Sequence, residues 1–211
     1  MAEFIVIEGL DGTGKTTQIS LLADELRKRG IAVETTAEPT ALPTGRLLRR
    51  VLSGEVKSSP WSTAALFLSD RIQHNVGENG IRDMLSQGKT VISDRYYYST
   101  FAYQGSDTDV TWTMDMHFSC PEIRKPDLVI FLTADVDVCL DRIRSNRPDD
   151  AIEIYENTES LSKTKAKFEQ VFDMLEGREN IIFVDAAGTV EEVHNAIMAV
   201  YDSTFKSGER R

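Results

Sequence analysis

A glycine-rich segment near the N-terminus constrains the fold more than any other feature of the sequence. Residues 9–16 read Gly-Leu-Asp-Gly-Thr-Gly-Lys-Thr and match the pattern G-x-x-x-x-G-K-[ST]. The segment follows a short β-branched run at residues 4–7 and precedes a helical pattern at Ile19, Leu22 and Leu26. A strand, a glycine-rich turn and a helix in this order predict a phosphate-binding loop, in which backbone N–H groups and a helix N-terminus face the anion.

The residue types in this loop indicate a nucleoside triphosphate. Lys15 would bring its charge to the β- and γ-phosphates, and the Thr16 hydroxyl can ligate Mg²⁺. The loop alone does not distinguish GTPases, motor ATPases and small-molecule kinases. We expect the loop and the residue after it to contact the donor nucleotide: Gly9, Leu10, Asp11, Gly12, Thr13, Gly14, Lys15, Thr16 and Thr17.

Short apolar strands alternate with helical patterns along the whole chain. Strands are predicted at residues 4–7, 31–35, 90–94, 127–132 and 180–184. This alternation predicts an α/β fold with a parallel sheet and helices on both faces. The 211 residues, without an internal repeat or a long linker, fit a single domain over residues 1–211.

Charge and hydropathy exclude several classes of partner. Lys and Arg number 24 and Asp and Glu 34, a net charge of −10 that repels nucleic-acid polymers. No apolar stretch approaches the ~18 residues needed to cross a bilayer, and the N-terminus lacks the basic region of a signal peptide. We therefore expect a cytoplasmic protein with neither a nucleic-acid polymer nor a membrane as partner.

Three segments together resemble the thymidylate kinase family: residues 4–18, Asp94-Arg95-Tyr96 and Ala102-Tyr103-Gln104-Gly105. The resemblance runs from residue 3 to about residue 200 in the order and spacing of that family. It implies a three-layer P-loop NTPase fold with a five-stranded parallel sheet of order 2-3-1-4-5 and a short lid near residues 142–153. It also implies transfer of the γ-phosphate of ATP to dTMP, giving dTDP and ADP in dTTP biosynthesis. The implied cofactor is Mg²⁺, and the implied assembly is a homodimer.

The same resemblance assigns an acceptor site. Phe67 and Arg71 resemble the pair that stacks on thymine and bonds its O4. Ser99 or Thr100, together with Gln104, resemble contacts to the base or the sugar.

The phosphate and the sugar of the acceptor have their own implied contacts. Arg95 resembles the arginine that binds the acceptor monophosphate, Asp11 the acid that contacts the 3′-hydroxyl, and Tyr103 the ring that crowds the 2′ position. The acceptor phosphate is mostly a dianion near neutral pH and needs no general base. The protein must instead hold two polyanions in line, a task suited to arginines that converge from separate segments.

On the donor side, Arg142, Arg144 and Arg147 fall where the lid arginines of the family close over ATP. The late loop at Asp185-Ala186-Ala187 resembles the segment that borders adenine, which places Ala186 among the ATP contacts. Asp94 occupies the position of an acid near the metal and pairs with Thr16 as a candidate magnesium ligand. The predicted catalytic groups are Lys15, Arg95, Arg142 and Arg147.

The sequence departs from the family pattern in two places. Ala37 stands where an arginine usually precedes Glu38-Pro39, and Arg46 or Arg49 could take its place. The common lid pattern Asp-Arg-x-Glu reads Asp-Ala-Ile-Glu at residues 150–153, without the arginine.

Other interpretations remain open to test. Residues 185–188 match the GTPase motif D-x-x-G, but they lie about 170 residues beyond the loop, and no N-K-x-D motif accompanies them. A regulatory ATPase without an acceptor is the alternative from a different functional class. His74, His117 and His194 are interpreted as structural or surface residues.

Overall fold

Five strands form one parallel sheet in the order β2-β3-β1-β4-β5. The computed structural model describes residues 2–146 and 158–205. The strands are β1 (Phe4–Gly9), β2 (Val33–Ala37), β3 (Thr90–Asp94), β4 (Leu128–Thr133) and β5 (Ile181–Asp185). The fold class and the strand order inferred from the sequence are confirmed.

Helices cover both faces of the sheet. Successive residues of a strand point to opposite sides, so the apolar residues of the strands form a hydrophobic core on each face. Phe4 and Val6 of β1 belong to one hydrophobic core, whereas Ile5 and Ile7 belong to the other. Within the described residues the helices are α1 (Lys15–Lys28), α2 (Pro43–Leu52), α3 (Pro60–Val76), α4 (Ile81–Ser86), α5 (Tyr97–Asp107), α6 (Val110–Phe118), α7 (Val136–Asn146), α8 (Thr158–Leu175) and α9 (Val190–Phe205).

Helices α5 and α6 were not predicted from the sequence. The α5 segment YYSTFAYQGSD buries aromatic and polar residues alike and shows no simple apolar stripe. Its N-terminus has no local side-chain cap. The carboxylate of Glu8 serves instead and accepts bonds from the backbone N–H groups of Tyr96 (2.9 Å) and Ser99 (3.1 Å). A cap supplied from a distant strand leaves no local signal in the sequence.

The sheet register brings the functional segments together. Ile7 of β1 pairs with Asp94 of β3, so the loop after β1 and the residue after β3 leave the same edge of the sheet. Ligands in open α/β sheets bind at this carboxyl edge. Arg147 and the rest of the predicted lid up to residue 153 lie outside the described residues. Among the described helices, none is long and apolar enough to span a bilayer.

Candidate active site

The backbone of the phosphate-binding loop depends on its glycines. Gly14, at the N-terminus of α1, has φ 91°, a left-handed conformation that L side chains rarely adopt. At Gly12 an added Cβ would lie 2.3 Å from the carbonyl oxygen of Cys139 on α7. The loop is therefore shaped by its own dihedral angles and by close packing against α7.

Lys15 places its ammonium group inside the loop. The Nζ donates to the carbonyl oxygens of Gly9 (3.1 Å) and Leu10 (2.9 Å) and lies 3.7 Å from the Asp11 carboxylate. Burial lowers the pKa of Lys15, and the nearby positive charge of Arg95 lowers it further, while carboxylates including Asp11 oppose the change. Anionic phosphate oxygens can therefore replace the neutral carbonyls as better partners for this charge.

Thr16 and Asp94, the predicted magnesium ligands, are in contact. The Thr16 hydroxyl donates to Asp94 Oδ2 at 3.2 Å. The other carboxylate oxygen, Oδ1, is buried and has no hydrogen-bond partner within the described part of the chain. A hydroxyl beside a carboxylate with one unsatisfied oxygen fits Mg²⁺, which takes oxygen ligands from one or two protein groups and from substrate phosphates.

Arg95 reaches across the gap between β3 and the phosphate-binding loop. Its Nη2 binds Asp11 Oδ1, and its Nη1 donates to Ser99 Oγ at 2.8 Å. The Tyr103 ring lies 5.5 Å from the guanidinium carbon, and the Tyr103 hydroxyl donates to Asp11 Oδ2 at 3.4 Å. The structure thus brings together four of the predicted acceptor-site residues.

The backbone of Arg95 adopts an unusual conformation. Its φ of 68° is left-handed, a state that costs a non-glycine residue about 1–3 kcal/mol. Two bonds hold it: the Arg95 N–H donates to the Ile7 carbonyl (3.1 Å), and the Ser93 hydroxyl donates to the Arg95 carbonyl (2.8 Å). Strained residues of this kind are concentrated at binding and catalytic sites, which fits the position of Arg95.

Glu8 is a site residue that sequence reasoning missed. Glu8 is fully buried near the end of β1, and its carboxylate caps α5. The same carboxylate accepts a hydrogen bond from Ser99 Oγ at 2.8 Å and lies 3.9 Å from Arg95 Nη1. Burial raises the pKa of Glu8, an effect that Arg95 and the bond from the Tyr96 N–H partly offset. An acidic residue at the end of an otherwise apolar strand was the signal that could have revealed it.

Arg71 of α3 lies in a buried polar cluster. Two of its nitrogens, Nε and Nη2, donate to Glu38 Oε2, and the Nε bond is 2.8 Å long. The third nitrogen, Nη1, donates to Thr100 Oγ1 at 3.2 Å and to His117 Nε2. The Tyr96 ring lies against the guanidinium at 5.1 Å. The sequence predicted Arg71 and Thr100 as site residues, gave Glu38 no role, and interpreted His117 as a structural or surface residue; the structure buries it.

The remaining acceptor-side predictions are placed as follows. Phe67 precedes Arg71 by one helical turn on α3, so the two share a face, and Phe67 is half-buried. Gln104 is buried and lines a separate cavity of about 400 Å³ between α5 and the segment that joins α2 to α3.

Arg46 and Arg49, the candidates to replace the arginine missing at Ala37, bind backbone carbonyls at residues 39–41.

A cavity of about 630 Å³ extends from the phosphate-binding loop to the end of β5. Arg142 and Ala186 both line it, and Arg142 Nη1 donates to the Ala186 carbonyl at 2.9 Å. Gln18, which the sequence did not single out, also lines it and donates to the Val190 carbonyl at 3.0 Å. Arg144 is exposed and is not among the described residues that line this cavity.

The same cavity reaches Arg95, so phosphates held by the loop and an anion held by Arg95 would meet in one space. On a sheet of order 2-3-1-4-5, this arrangement defines a P-loop nucleoside monophosphate kinase. The family model described as Thymidylate kinase matches residues 7–197. The chain belongs to the thymidylate kinase family, whose enzymes phosphorylate dTMP with ATP in dTTP synthesis.

Individual relatives agree with this assignment. The chain is 37% identical over 210 residues to the "Probable thymidylate kinase" of Thermococcus kodakarensis, covering 95% of this chain and 97% of the relative. It is 35% identical over 198 residues to that of Methanosphaera stadtmanae, covering 92% and 94%. The solved structure of thymidylate kinase from Candida albicans matches with a TM-score of 0.80 at 26% identity, covering 96% of this chain and 92% of that one.

Proposed function

We propose that this chain carries out the family reaction with the residues assembled at the carboxyl edge of the sheet. The observation that supports this most strongly is the contact between Arg95 and Asp11, because it joins the acceptor-side arginine to the donor-side loop. The donor phosphates lie in residues 9–16, and the acceptor phosphate lies at Arg95. The γ-phosphoryl group then has a short path between them.

The protein supplies positioning and charge rather than covalent chemistry. Lys15 moves from backbone carbonyls to the donor phosphates, and the planar fork of Arg95 binds two oxygens of the acceptor phosphate. Arg142, beside the late loop, adds positive charge on the donor side, with Arg144 and Arg147 following it in the chain. The acceptor phosphate attacks directly, so no side chain needs to remove a proton.

Thr16 and Asp94 are the residues that would hold Mg²⁺. When bound, the ion neutralises phosphate charge and helps to orient the donor's terminal phosphates. The buried, unpartnered Asp94 Oδ1 supports this assignment from the protein side.

Acceptor selectivity comes from the α3 and α5 residues. Phe67 stacks on the thymine ring, Arg71 donates to its O4, and Thr100 holds Arg71 in place. Ser99 and Gln104 contact the base or the sugar. Asp11 accepts from the 3′-hydroxyl, and Tyr103 excludes a 2′-hydroxyl from the space beside Arg95.

The assembly is a homodimer, and the working compartment is the cytoplasm. Support for the dimer comes from the exposed apolar residues at the two ends of α3. Trp61 is 48% exposed and Val76 43% exposed, and the Trp61 ring packs against Trp112 of α6 with centroids 4.8 Å apart. Sedimentation at micromolar concentration should give the mass of two chains, and a purely monomeric species contradicts the assembly.

An acceptor panel tests the reaction. ADP release from ATP is measured with dTMP, dCMP, dGMP, dAMP and the ribonucleotide of thymine. dTMP should be the best acceptor by kcat/KM. Equal rates with all acceptors would contradict the base-reading roles of Phe67 and Arg71, and ATP hydrolysis indifferent to any acceptor would identify a regulatory ATPase instead.

A further inference from the structure

A buried histidine lies directly behind the arginine assigned to the acceptor base. His117 of α6 is 1% exposed, and its Nδ1 lies 2.7 Å from the carbonyl oxygen of Thr113, one turn earlier. A carbonyl oxygen can only accept, so the Nδ1 carries the hydrogen. The Nε2 is therefore the acceptor side of the ring, and it faces Arg71 Nη1.

The partners of Arg71 fix the guanidinium in one orientation. Glu38 accepts from Nε and from Nη2, while Thr100 and His117 accept from Nη1. A guanidinium has five N–H donors in a planar fork. These contacts occupy four of them, and the second Nη2 hydrogen has no partner within residues 2–146 and 158–205.

We propose that His117 is a positioning residue of the acceptor-base subsite: it holds Arg71 so that the remaining N–H donor faces a base carbonyl, and the enzyme thereby selects dTMP over dCMP. The proposal rests on the base-reading role of Arg71 given above. It assigns to an α6 side chain a part in specificity that acts through Arg71 rather than by contact with the substrate.

The chemistry of the two bases explains the expected selectivity. Thymine has a carbonyl at the ring position where cytosine has an amino group. An amino group facing a fixed N–H donor leaves both groups without an acceptor in a buried site, which is costly. If the guanidinium could rotate, the amino group could avoid this conflict, so the selectivity depends on the partners that prevent rotation.

His117 suits this role because it remains an uncharged acceptor. Burial and the adjacent Arg71 charge lower the pKa of His117 to about 3. The ring therefore does not compete with Arg71 as a second cation. The Arg71 side chain is itself 1% exposed, so a rotated guanidinium would leave buried donors unpaired.

The test separates acceptor chemistry from packing. His117→Gln restores a carbonyl acceptor near the Nε2 position, whereas His117→Leu keeps apolar bulk without an acceptor. His194→Leu on α9, in the other helical layer, is the matched control. We expect His117→Leu to lower the dTMP-to-dCMP ratio of kcat/KM by about 10-fold through the KM for dTMP. The KM for ATP should be unchanged, and His117→Gln should retain most of the selectivity.

Two outcomes would overturn the proposal. The first is a His117→Leu enzyme with wild-type selectivity, and the second is an equal loss in His117→Leu and His117→Gln, which would indicate packing alone. If His117→Leu does not fold, His117→Asn can be compared with His117→Gln, because its shorter amide keeps the bond to Thr113 without reaching Arg71. A wild-type enzyme without preference for dTMP would instead contradict the proposed function of Arg71.

Discussion

The Arg95 guanidinium is bound to the Asp11 carboxylate, and this contact joins the end of β3 to the phosphate-binding loop after β1. The contact follows from the parallel pairing of β1 with β3. We expect an acceptor phosphate at Arg95 to take over part of this bond, and the Asp11 carboxylate then to accept from a sugar hydroxyl. The two halves of the site would then respond to substrate together.

Arg95→Lys should separate acceptor binding from donor binding. Lysine keeps the charge but loses the planar fork that binds two phosphate oxygens. We expect the KM for dTMP to rise about 10-fold, with little change in the KM for ATP, measured by varying each substrate at saturating levels of the other. Arg82→Lys on α4, an exposed arginine bound to the Pro121 carbonyl, is the control. Equal increases in both KM values would contradict the acceptor-side role.

Lys15→Met should abolish transfer without lowering stability. The folded state binds the Lys15 proton more weakly than the unfolded chain does, because burial lowers this pKa. This difference lowers the free energy of unfolding. The loss is complete below the folded-state pKa and disappears only as pH rises toward the unfolded-state pKa, so the charged lysine still destabilises the fold at neutral pH. We expect kcat to fall about 100-fold or more, while the thermal midpoint at pH 7 is unchanged or higher. Wild-type-like turnover would show that the loop is not the donor site.

Tyr103 should determine sugar discrimination through its ring. Tyr103→Ala opens space beside Arg95 and should bring the kcat/KM of the thymine ribonucleotide closer to that of dTMP. Tyr103→Phe keeps the ring and should preserve the preference for deoxyribose. If the preference is the same in all three proteins, the ring serves only to pack against Phe168 of α8.

Asp94→Asn should raise the magnesium requirement. The substitution removes the negative charge of the carboxylate that carries the buried, unpartnered oxygen. We expect the free Mg²⁺ concentration that gives half of the maximal rate to increase several-fold, because the metal loses one charged ligand. Asp83→Asn on α4 is the control. An unchanged magnesium titration would exclude Asp94 from the metal site.

Glu8→Gln should change how stability depends on pH. Burial raises the pKa of Glu8 above its ordinary value of 4.5, so the folded protein holds that proton more tightly than the unfolded chain does. This tighter proton binding adds to the free energy of unfolding. The added stability is complete below the pKa of Glu8 in the unfolded chain and is lost as pH rises through its pKa in the folded protein. The free energy of unfolding of the wild type minus that of Glu8→Gln should therefore fall as pH rises above the ordinary value of 4.5, measured with urea. A difference that grows over this range would contradict the direction of the shift.

The sequence predicted the elements whose signals are local. The phosphate-binding loop, the strands and most helices have patterns within a few residues, and the roles predicted for Lys15 and Thr16 follow from the pattern of the loop. The strand order came from the family resemblance and not from periodicity. Local patterns therefore predicted the strand, loop and helix around Lys15 and Thr16, whereas the family resemblance supplied the predicted roles of Asp94 and of the arginines after residue 141.

The missed features depend on contacts between distant segments. Glu8 caps a helix 88 residues away, Glu38 binds an arginine 33 residues away, and His117 lies 46 residues from that same arginine. No pattern within one element encodes these contacts. They become visible only when the sheet places β1 beside β3 and α3 packs against α5 and α6.

Transfer of labelled phosphate shows whether the phosphate-binding loop and Arg95 join a donor to an acceptor nucleotide. ATP labelled in the γ-phosphate is incubated with the protein, Mg²⁺ and dTMP, and the labelled products are separated. We expect label in dTDP, formed at a rate that depends on dTMP and is lost in Lys15→Met. Label that appears only as inorganic phosphate, at a rate unaffected by dTMP, would contradict it.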